Sequence, residues 1–195
     1  MTDIQRCGWA NSTPDYVTYH DNEWGHPIRN DIALFERLSL EAFQSGLSWL
    51  TVLRKREAFR EQFHGFDPQH VAAMGERDIA KLLQEPGIIR HRGKIEACIN
   101  NAQALLDQWT EHGDGWLTNA LTAAAPTEAS LAAQGYLRPP RSLSDLPAKT
   151  LETAALAKQL KAQGFKFLGP TTLYAGLQAT GFVRDHVLKC HLFGL

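Results

Sequence analysis

Hydrophobic positions recur at helical spacing along most of the chain. From Asp31 to Ser45, Leu34 and Leu38 mark one buried stripe, with Asp31 as the expected N-cap and Gly46 ending the helix. Ser48 caps a second predicted helix, whose inward positions are Trp49, Val52, Leu53, Phe59 and Phe63. Further helices are predicted over 68–74, 76–84, a long stretch ending near 109, 150–163, 170–180 and 185–190. The pattern therefore predicts about nine helices and no strand.

Two regions lack this periodicity. Residues 1–30 are predicted to be irregular because Pro14, Gly25 and Pro27 interrupt them, although they are rich in aromatic residues. Residues 110–149 are rich in Ala, Gly and Pro and receive no assignment. Across the chain, 49 Ala and Leu residues stand against 13 Val and Ile, which favours helices over strands. The expected fold class is all-α.

Length and charge limit the function classes. A chain of 195 residues suits one domain, expected to span 1–195. The sequence has neither an apolar run of about 20 residues nor a secretory signal pattern, so we expect no membrane partner. Three cysteines make a poor disulfide framework, which favours the cytoplasm. The net charge of -1 means that any nucleic-acid binding must come from local basic surface.

Four residues near the two ends of the chain suit a metal ion. His186 and Cys190 are four residues apart, which on a helix would put both side chains on one face. Cys7 and His20 could complete a Cys2His2 set for a closed, structural tetrahedral zinc that joins the N-terminal arm to the C-terminal helix. The alternative is that Cys7 is a free thiol on a flexible arm and that His186 is a capped residue of a helix. Cys98 lies on an apolar stripe and is interpreted as a core residue.

Glu41 falls on the buried stripe of its predicted helix, seven residues after Leu34. A buried carboxylate is costly without a partner. Either it forms a salt bridge, or the helix is rotated so that it lies at the edge of the stripe, or it accepts hydrogen bonds from a ligand. Nearby aromatic residues are either plain core or the walls of a pocket for a flat or cationic ligand; they are Trp9, Tyr16, Tyr19, Trp24 and Trp49.

Two glycine-containing turns precede helices, at 87–94 and 164–172. Exposed amides at a helix start can hold a phosphate, and basic side chains nearby add positive charge. The alternatives are a DNA-backbone contact and a simple helix connection. The candidate DNA-binding residues are Arg90, Arg92, Gly164, Lys166, Gly169 and Thr171, with Lys94 adding charge.

Four segments stand out in the sequence: RCGWANSTPDYVTYHDNEWGHP, LEAFQSGLSWLTVLRKREAFREQFHGFDP, GIIRHRGKIEACINNA and GFKFLGPTTLYAGLQATGFVRDHVLKC. Together they resemble the bacterial DNA-3-methyladenine glycosylase I family. The resemblance covers residues 6–109 and 150–190. It implies a helix-hairpin-helix glycosylase fold of two helical lobes around a cleft, with GFKFLGPTT as the DNA-binding hairpin.

By position, the resemblance carries the family's zinc ligands onto Cys7, His20, His186 and Cys190. The family's base-pocket residues fall on Glu41, Trp49, Tyr16 and Tyr19, with Trp9 and Trp24 lining the site. Many helix-hairpin-helix glycosylases carry a catalytic aspartate after the hairpin helix. In this chain that position falls on Arg184 or its neighbour, so Asp185 is not assigned a catalytic role.

The resemblance implies an N-glycosyl hydrolase that flips out and excises 3-methyladenine from double-stranded alkylated DNA and leaves an abasic site. A base alkylated at N3 is cationic and leaves readily, which reduces the need for acid–base help. No lysine is suggested for strand cleavage, and a monomer is expected. Two rival functions remain open: a non-catalytic sensor of alkylation, which needs no acid in the pocket, and a zinc hydrolase, which needs an open coordination position.

Overall fold

The computed structural model describes residues 4–194 and is all-helical over that range, as predicted. Ten α-helices carry the fold, joined by three short 3-10 turns. The helices are α1 (Pro14–Asn22), α2 (Asp31–Gln44), α3 (Trp49–Gln62), α4 (Pro68–Ala72), α5 (Glu76–Leu82), α6 (Arg92–His112), α7 (Trp116–Ala123), α8 (Glu128–Ala133), α9 (Leu151–Ala162) and α10 (Pro170–Ala179). No strand occurs between residues 4 and 194.

Side-chain caps begin several helices where the sequence predicts them. Ser48 Oγ accepts a hydrogen bond from the Thr51 amide at 3.3 Å and begins α3. Asp67 caps α4 ahead of Pro68 in the first helical position, and Thr150 caps α9. Each cap satisfies an amide that has no partner inside its own helix.

The prediction of an irregular N-terminal arm is wrong for residues 14–22, which form α1. Thr13 accepts a hydrogen bond from the Tyr16 amide, and Pro14 occupies the first helical position. Proline fits there because its missing N–H would lack a helical partner anyway. The helix buries Tyr19 and His20.

The cap of α2 also differs from the prediction. Asn30, not Asp31, caps the helix, with its Oδ1 accepting from the Ala33 amide at 3.1 Å. Asp31 instead turns inward, and its carboxylate accepts hydrogen bonds from the backbone amides of Leu117 and Thr118, at 3.0 and 2.8 Å. Part of the unassigned region 110–149 is therefore α7, whose first turn is fixed to the start of α2.

The predicted C-terminal helix over 185–190 is absent. The chain there has no regular secondary structure up to residue 187 and then forms a turn, with the Cys190 amide donating to the Val187 carbonyl at 2.7 Å. In the hairpin before α10, glycine at position 169 favours an open backbone angle from sequence, but the structure has an ordinary φ of -76° there. The left-handed positions of this hairpin are Gly164 (φ 89°) and Phe167 (φ 58°).

Two apolar clusters are packed within the described chain. The larger one joins α2 to most of the other helices, and α10 crosses α2 at Gly176, where an added Cβ would lie 2.6 Å from Leu38 Cδ2. The smaller one unites residues near both ends of the chain: Cys7, Tyr19, Trp24, Ala179, Val187 and Cys190. None of the helices in residues 4–194 has the length and apolarity that crossing a membrane requires.

Candidate functional site

A cavity of about 230 Å³ opens where α1, α2, α3 and α10 meet. Its volume is below the usual range for drug-sized ligands, which suits a single small ring system. All six residues predicted for the pocket line it, together with three that the sequence did not single out. The lining is Trp9, Tyr16, Tyr19, Trp24, Glu41, Gln44, Trp49, Ala175 and Gln178.

Glu41 is the single carboxylate among these lining residues. The residue is 6% exposed, and its nearest cation is Arg37, with Nη1 3.7 Å from Glu41 Oε1. Burial raises the pKa of Glu41 to about 7, because the attraction of Arg37 offsets only part of the desolvation. No described residue donates a hydrogen bond to this carboxylate within the usual distance, so its accepting capacity is left for a ligand.

Arg37 organises the inner wall of the pocket. Its Nη1 donates to Tyr19 Oη at 2.7 Å, and its guanidinium lies 4.8 Å from the centre of the Trp49 ring. Since Tyr19 Oη accepts from Arg37, its own O–H is left to donate to another group. Tyr16 is fixed in a similar way, because its Oη accepts a hydrogen bond from the Leu50 amide at 3.0 Å.

Aromatic rings form further walls of the cavity. Trp9 meets Tyr16 edge-on at 5.4 Å and Trp24 at 5.3 Å, and Tyr19 lies 5.5 Å from Trp49. These are normal separations for packed aromatic pairs, so the rings hold one another in place. Aromatic faces beside a negative charge favour a flat ligand with positive charge.

The four predicted metal ligands converge, although they come from segments about 165 residues apart. Their ligand atoms all lie within 4.8 Å of one another. Cys7 Sγ lies 3.6 Å from His186 Nδ1, and Cys190 Sγ lies 3.4 Å from His20 Nε2 and 3.5 Å from His186 Nδ1. Metal–sulfur and metal–nitrogen bonds of zinc length, set at a tetrahedral angle, would separate S and N by about 3.6 Å. The donor set therefore fits a closed tetrahedral cation.

The four residues predicted for this cluster do lie together, but the helix predicted to bring two of them together is absent. His186 and Cys190 do not share a helix, and the turn at Val187–Cys190 brings them together. His20 is oriented by Asp21, whose Oδ1 lies 2.8 Å from His20 Nδ1 and leaves Nε2 facing the cluster. Burial lowers the pKa of His186 to about 4, so its imidazole is neutral at pH 7.

The cluster lies directly behind the aromatic wall of the pocket. His186 meets the Trp24 ring at 4.7 Å, and His20 meets the Trp9 ring at 5.3 Å. Gly25 allows this approach, since an added Cβ would lie 2.8 Å from His186 Nε2. A cation held here would fix the two tryptophans through the histidines that they touch.

The two basic turns lie side by side on the surface. Asn101 of α6 binds the backbone of Lys166 on both sides, accepting from its amide at 2.7 Å and donating to its carbonyl at 2.9 Å. Asn100 donates to the Gly164 carbonyl at 2.7 Å, and the Phe167 ring lies 6.4 Å from His91. This hairpin connects two helices and is braced by a third.

The candidate DNA-binding side chains differ in their availability. Lys166, Thr171 and Arg90 are exposed, whereas exposed Arg92 is already paired with Glu76 and Glu96, at 2.8 and 3.2 Å. The prediction that Lys94 adds surface charge is wrong. It is buried and donates to the carbonyls of Phe43 and Ser45, at 2.8 and 2.6 Å, which holds the end of α2.

Asp185 lies away from the surface and is fully engaged. Its side chain is buried and accepts from Arg138 at 2.6 Å, and from Tyr174 Oη and Gln178 Nε2, both at 2.7 Å. Asp185 itself does not line the cavity, whereas Gln178 does. Asp185 itself would therefore not contact a ligand in this cavity.

A family model described as methyladenine glycosylase matches residues 9–193. The chain belongs to the methyladenine glycosylase family. DNA-3-methyladenine glycosylase 1 of Escherichia coli K12 is 46% identical over 187 residues, covering 96% of this chain and 96% of that protein. The resemblance seen in the four sequence segments is thereby confirmed.

Solved structures of methyladenine glycosylases have the same fold. A crystal structure of 3-methyladenine DNA glycosylase I has a TM-score of 0.86 at 45% identity, covering 96% of this chain and 99% of that one. A Staphylococcus aureus structure, described as giving the structural basis of 3-methyladenine recognition, also has a TM-score of 0.86, at 35% identity and 98% coverage of both chains.

Three lining residues of this methyladenine glycosylase escape prediction from the sequence: Gln44, Ala175 and Gln178. Gln44 lies three residues after Glu41 on α2, so helical spacing from the suspected acid would have found it. Ala175 and Gln178 lie on α10, for which the sequence indicates only a DNA-facing hairpin. Nothing in their residue types signals a binding role.

Proposed function

We propose that this protein is a monofunctional DNA glycosylase that flips 3-methyladenine out of alkylated double-stranded DNA and releases it by hydrolysis, leaving an abasic site. The observation that carries the proposal is Glu41, a buried carboxylate left without hydrogen-bond donors inside an aromatic pocket. Arg37 offsets only part of the cost of burying that charge, and a cationic base would offset more of it than a neutral ligand.

The size of the pocket supports extrusion of the base. A cavity of about 230 Å³ takes a base but not a duplex, so the nucleotide has to leave the stack. Unstacking costs a few kcal/mol and is least costly for a weakly paired, damaged base. Trp49, Tyr16 and Tyr19 would then contact the base, with Trp9 and Trp24 completing the walls.

The bond cleavage requires little from the protein. The N-glycosidic electron pair moves onto the cationic base, which leaves as neutral 3-methyladenine, and the sugar becomes oxocarbenium-like. Water adds to the anomeric carbon and loses its proton to solvent. Glu41 holds the base by accepting hydrogen bonds from its adenine edge, and its negative charge favours the cationic form of the base before cleavage.

The cluster of Cys7, His20, His186 and Cys190 is proposed to hold one structural zinc ion. Thiolate and imidazole are the donors that zinc takes in closed sites, and when bound the ion supplies a cross-link between the segments around residues 7–20 and 186–190. Metal analysis of protein purified without added metal should give one zinc per chain. Finding no metal, or a different one, would contradict this assignment.

The hairpin at Gly164–Gly169, with Lys166 and Thr171, is proposed as the helix-hairpin-helix contact to the DNA backbone, with Arg90 and Arg92 beside it. Backbone amides and lysine contact phosphates without reading sequence, which suits an enzyme that searches all DNA. We propose that it acts as a monomer in the cytoplasm.

The direct test is release of bases from DNA treated with a methylating agent, followed by chromatography of the soluble fraction. We expect free 3-methyladenine from the wild type, none from unmodified DNA, and a strongly reduced amount with Glu41→Gln. Tight binding to methylated DNA without release would instead support a sensor. Loss of release after chelation, with circular dichroism unchanged, would support a metal hydrolase.

A further inference from the structure

One wall of the pocket comes from α10, a helix predicted only to carry the DNA-facing hairpin. Ala175 and Gln178 both line the cavity, and their spacing of three residues puts them on one face of that helix. Alanine offers only a methyl group. Gln178 is therefore the one polar side chain that α10 contributes to the pocket lining.

The orientation of the Gln178 amide is fixed from behind. Gln178 Nε2 donates to Asp185 Oδ2 at 2.7 Å, and a carboxylate paired with Arg138 can only accept. Since the amide is planar, holding its nitrogen against Asp185 turns its carbonyl oxygen away from that residue. No described residue donates a hydrogen bond to Gln178 Oε1, although the side chain is only partly exposed.

Asp185 is itself too constrained to move with the amide. Arg138 Nη1 binds its Oδ1 at 2.6 Å, and Tyr174 Oη binds its Oδ2 at 2.7 Å. The carboxylate is completely buried. A glutamine with one end held this firmly presents an acceptor of fixed direction, which loses little entropy when a ligand binds.

We infer that Gln178 is a specificity-determining residue and that Asp185 is its positioning residue: the carbonyl oxygen of Gln178 accepts a hydrogen bond from the exocyclic amino group of the bound base. Adenine carries an amino donor at position 6, where guanine carries a carbonyl acceptor. With Glu41 as a second acceptor, the pocket favours the amine and opposes the carbonyl. This inference rests on the proposed function.

The test is calorimetric titration of the full-length protein with free 3-methyladenine and free 3-methylguanine. Gln178→Met keeps the length of the side chain but removes its acceptor. We expect the affinity for 3-methyladenine to fall about 5- to 10-fold, the loss of one neutral hydrogen bond, while the affinity for 3-methylguanine does not fall. Equal loss for both bases, or no loss for 3-methyladenine, would overturn the inference.

Tyr174→Phe is the matched control, because it removes a hydrogen bond to the same oxygen, Asp185 Oδ2, but does not line the cavity. It should lower the melting temperature but change the ratio of the two affinities much less than Gln178→Met does, because Arg138 still holds Asp185. A change in that ratio as large as that of Gln178→Met would also overturn the inference.

Asp185→Asn tests the positioning role, because an asparagine can donate as well as accept and no longer fixes the Gln178 amide. We expect a reduced preference for 3-methyladenine, and an unchanged preference in a folded Asp185→Asn protein would overturn that role. If this variant does not fold, the Gln178 and Tyr174 variants still decide the matter. A wild type that binds neither base contradicts the proposed function itself, which is a distinct result.

Discussion

The two ends of α2 each bury an acid, and the two acids are treated in opposite ways. Asp31 and Glu41 are almost equally buried, at 5% and 6% exposure. Asp31 accepts four hydrogen bonds, from Trp109 Nε1, the Leu117 amide, the Thr118 amide and the Thr118 hydroxyl, at 2.6 to 3.0 Å. Glu41 has only Arg37, at 3.7 Å.

The pKa values of the two acids follow from these surroundings. Burial alone would raise the pKa of Asp31, but the hydrogen bonds from Thr118 and Trp109 hold it below its ordinary value. Burial raises the pKa of Glu41 to about 7. Asp31, whose hydrogen bonds all come from the protein, joins α2 to α7. Glu41 receives no hydrogen bond from the described part of the protein, and this marks it as a ligand site.

The largest effect on stability is expected from a substitution at Asp31. Asp31→Ala leaves two backbone amides, an indole N–H and a hydroxyl without their acceptor, so the free energy of unfolding should fall by about 3 to 5 kcal/mol. Urea denaturation measures this loss. Asp107→Ala, at an exposed position of α6, should change stability by less than about 0.5 kcal/mol. Equal effects of the two variants would show that Asp31 is not a structural joint.

Removing the charge of Glu41 should instead raise the free energy of unfolding. A raised pKa means that ionising this acid costs folding free energy: the cost is absent below pH 4.5, grows as the pH rises, and is complete above about pH 7. A shift from 4.5 to about 7 corresponds to about 3 kcal/mol. Glu41→Gln should therefore stabilise the protein by about that amount at pH 8 and by almost nothing at pH 4.

The same Glu41→Gln variant should bind free 3-methyladenine about tenfold more weakly in a calorimetric titration, because a neutral amide is a weaker acceptor and also presents donors to the amino edge of the base. Glu57→Gln, whose side chain is 79% exposed, should change neither property. If Glu41→Gln made the protein less stable than the wild type at pH 8, the contrast between the two acids would be wrong.

A substitution at Arg37 should have a smaller effect, on the pKa of Glu41. Its positive charge lowers the pKa of Glu41, so Arg37→Met should move that pKa upward from about 7. The measurement is the pH dependence of 3-methyladenine binding, whose rising limb should shift to higher pH. If the pH at which 3-methyladenine binding rises were the same in both proteins, a group other than Glu41 would control binding.

The smallest effect is expected from one hydrogen bond at Asp31. Thr118→Val removes the hydroxyl at 2.6 Å but keeps the backbone amide, which should cost about 1 kcal/mol at pH 7. Because hydrogen bonds lower the pKa of Asp31, this contribution is present above the ordinary value of 3.8 and is lost as the pH falls below it. Stability curves of the two proteins should converge in acid.

Periodicity is sufficient to predict the burial of Glu41. The stripe through Leu34 and Leu38 puts the acid inward, and the structure has it there. The same reasoning misses α1, although Thr13 and Pro14 give the same start signal as Asp67 and Pro68. The aromatic and turn-forming residues around that signal are typical of a loop, and they obscure it.

Long-range neighbours are harder to predict. Helical spacing predicts that His186 lies beside Cys190. The two residues are neighbours in the structure, but a turn and not a helix brings them together. Gln178 could not be found, because a glutamine on a helix is ordinary until Asp185 is known to hold it. Nor could Asp31 be separated from a cap, because its partners lie 78 to 87 residues away.

Gly176 does not line the cavity, yet the absence of a side chain there lets two of the cavity walls approach each other. An added Cβ would lie 2.6 Å from Leu38 Cδ2, so either the Leu38 side chain or α10 itself would have to shift. A shift of α10 would move Gln178 relative to Glu41. The thickness of ligand that this enzyme can grip therefore depends on a contact between a glycine and a leucine, neither of which lines the cavity.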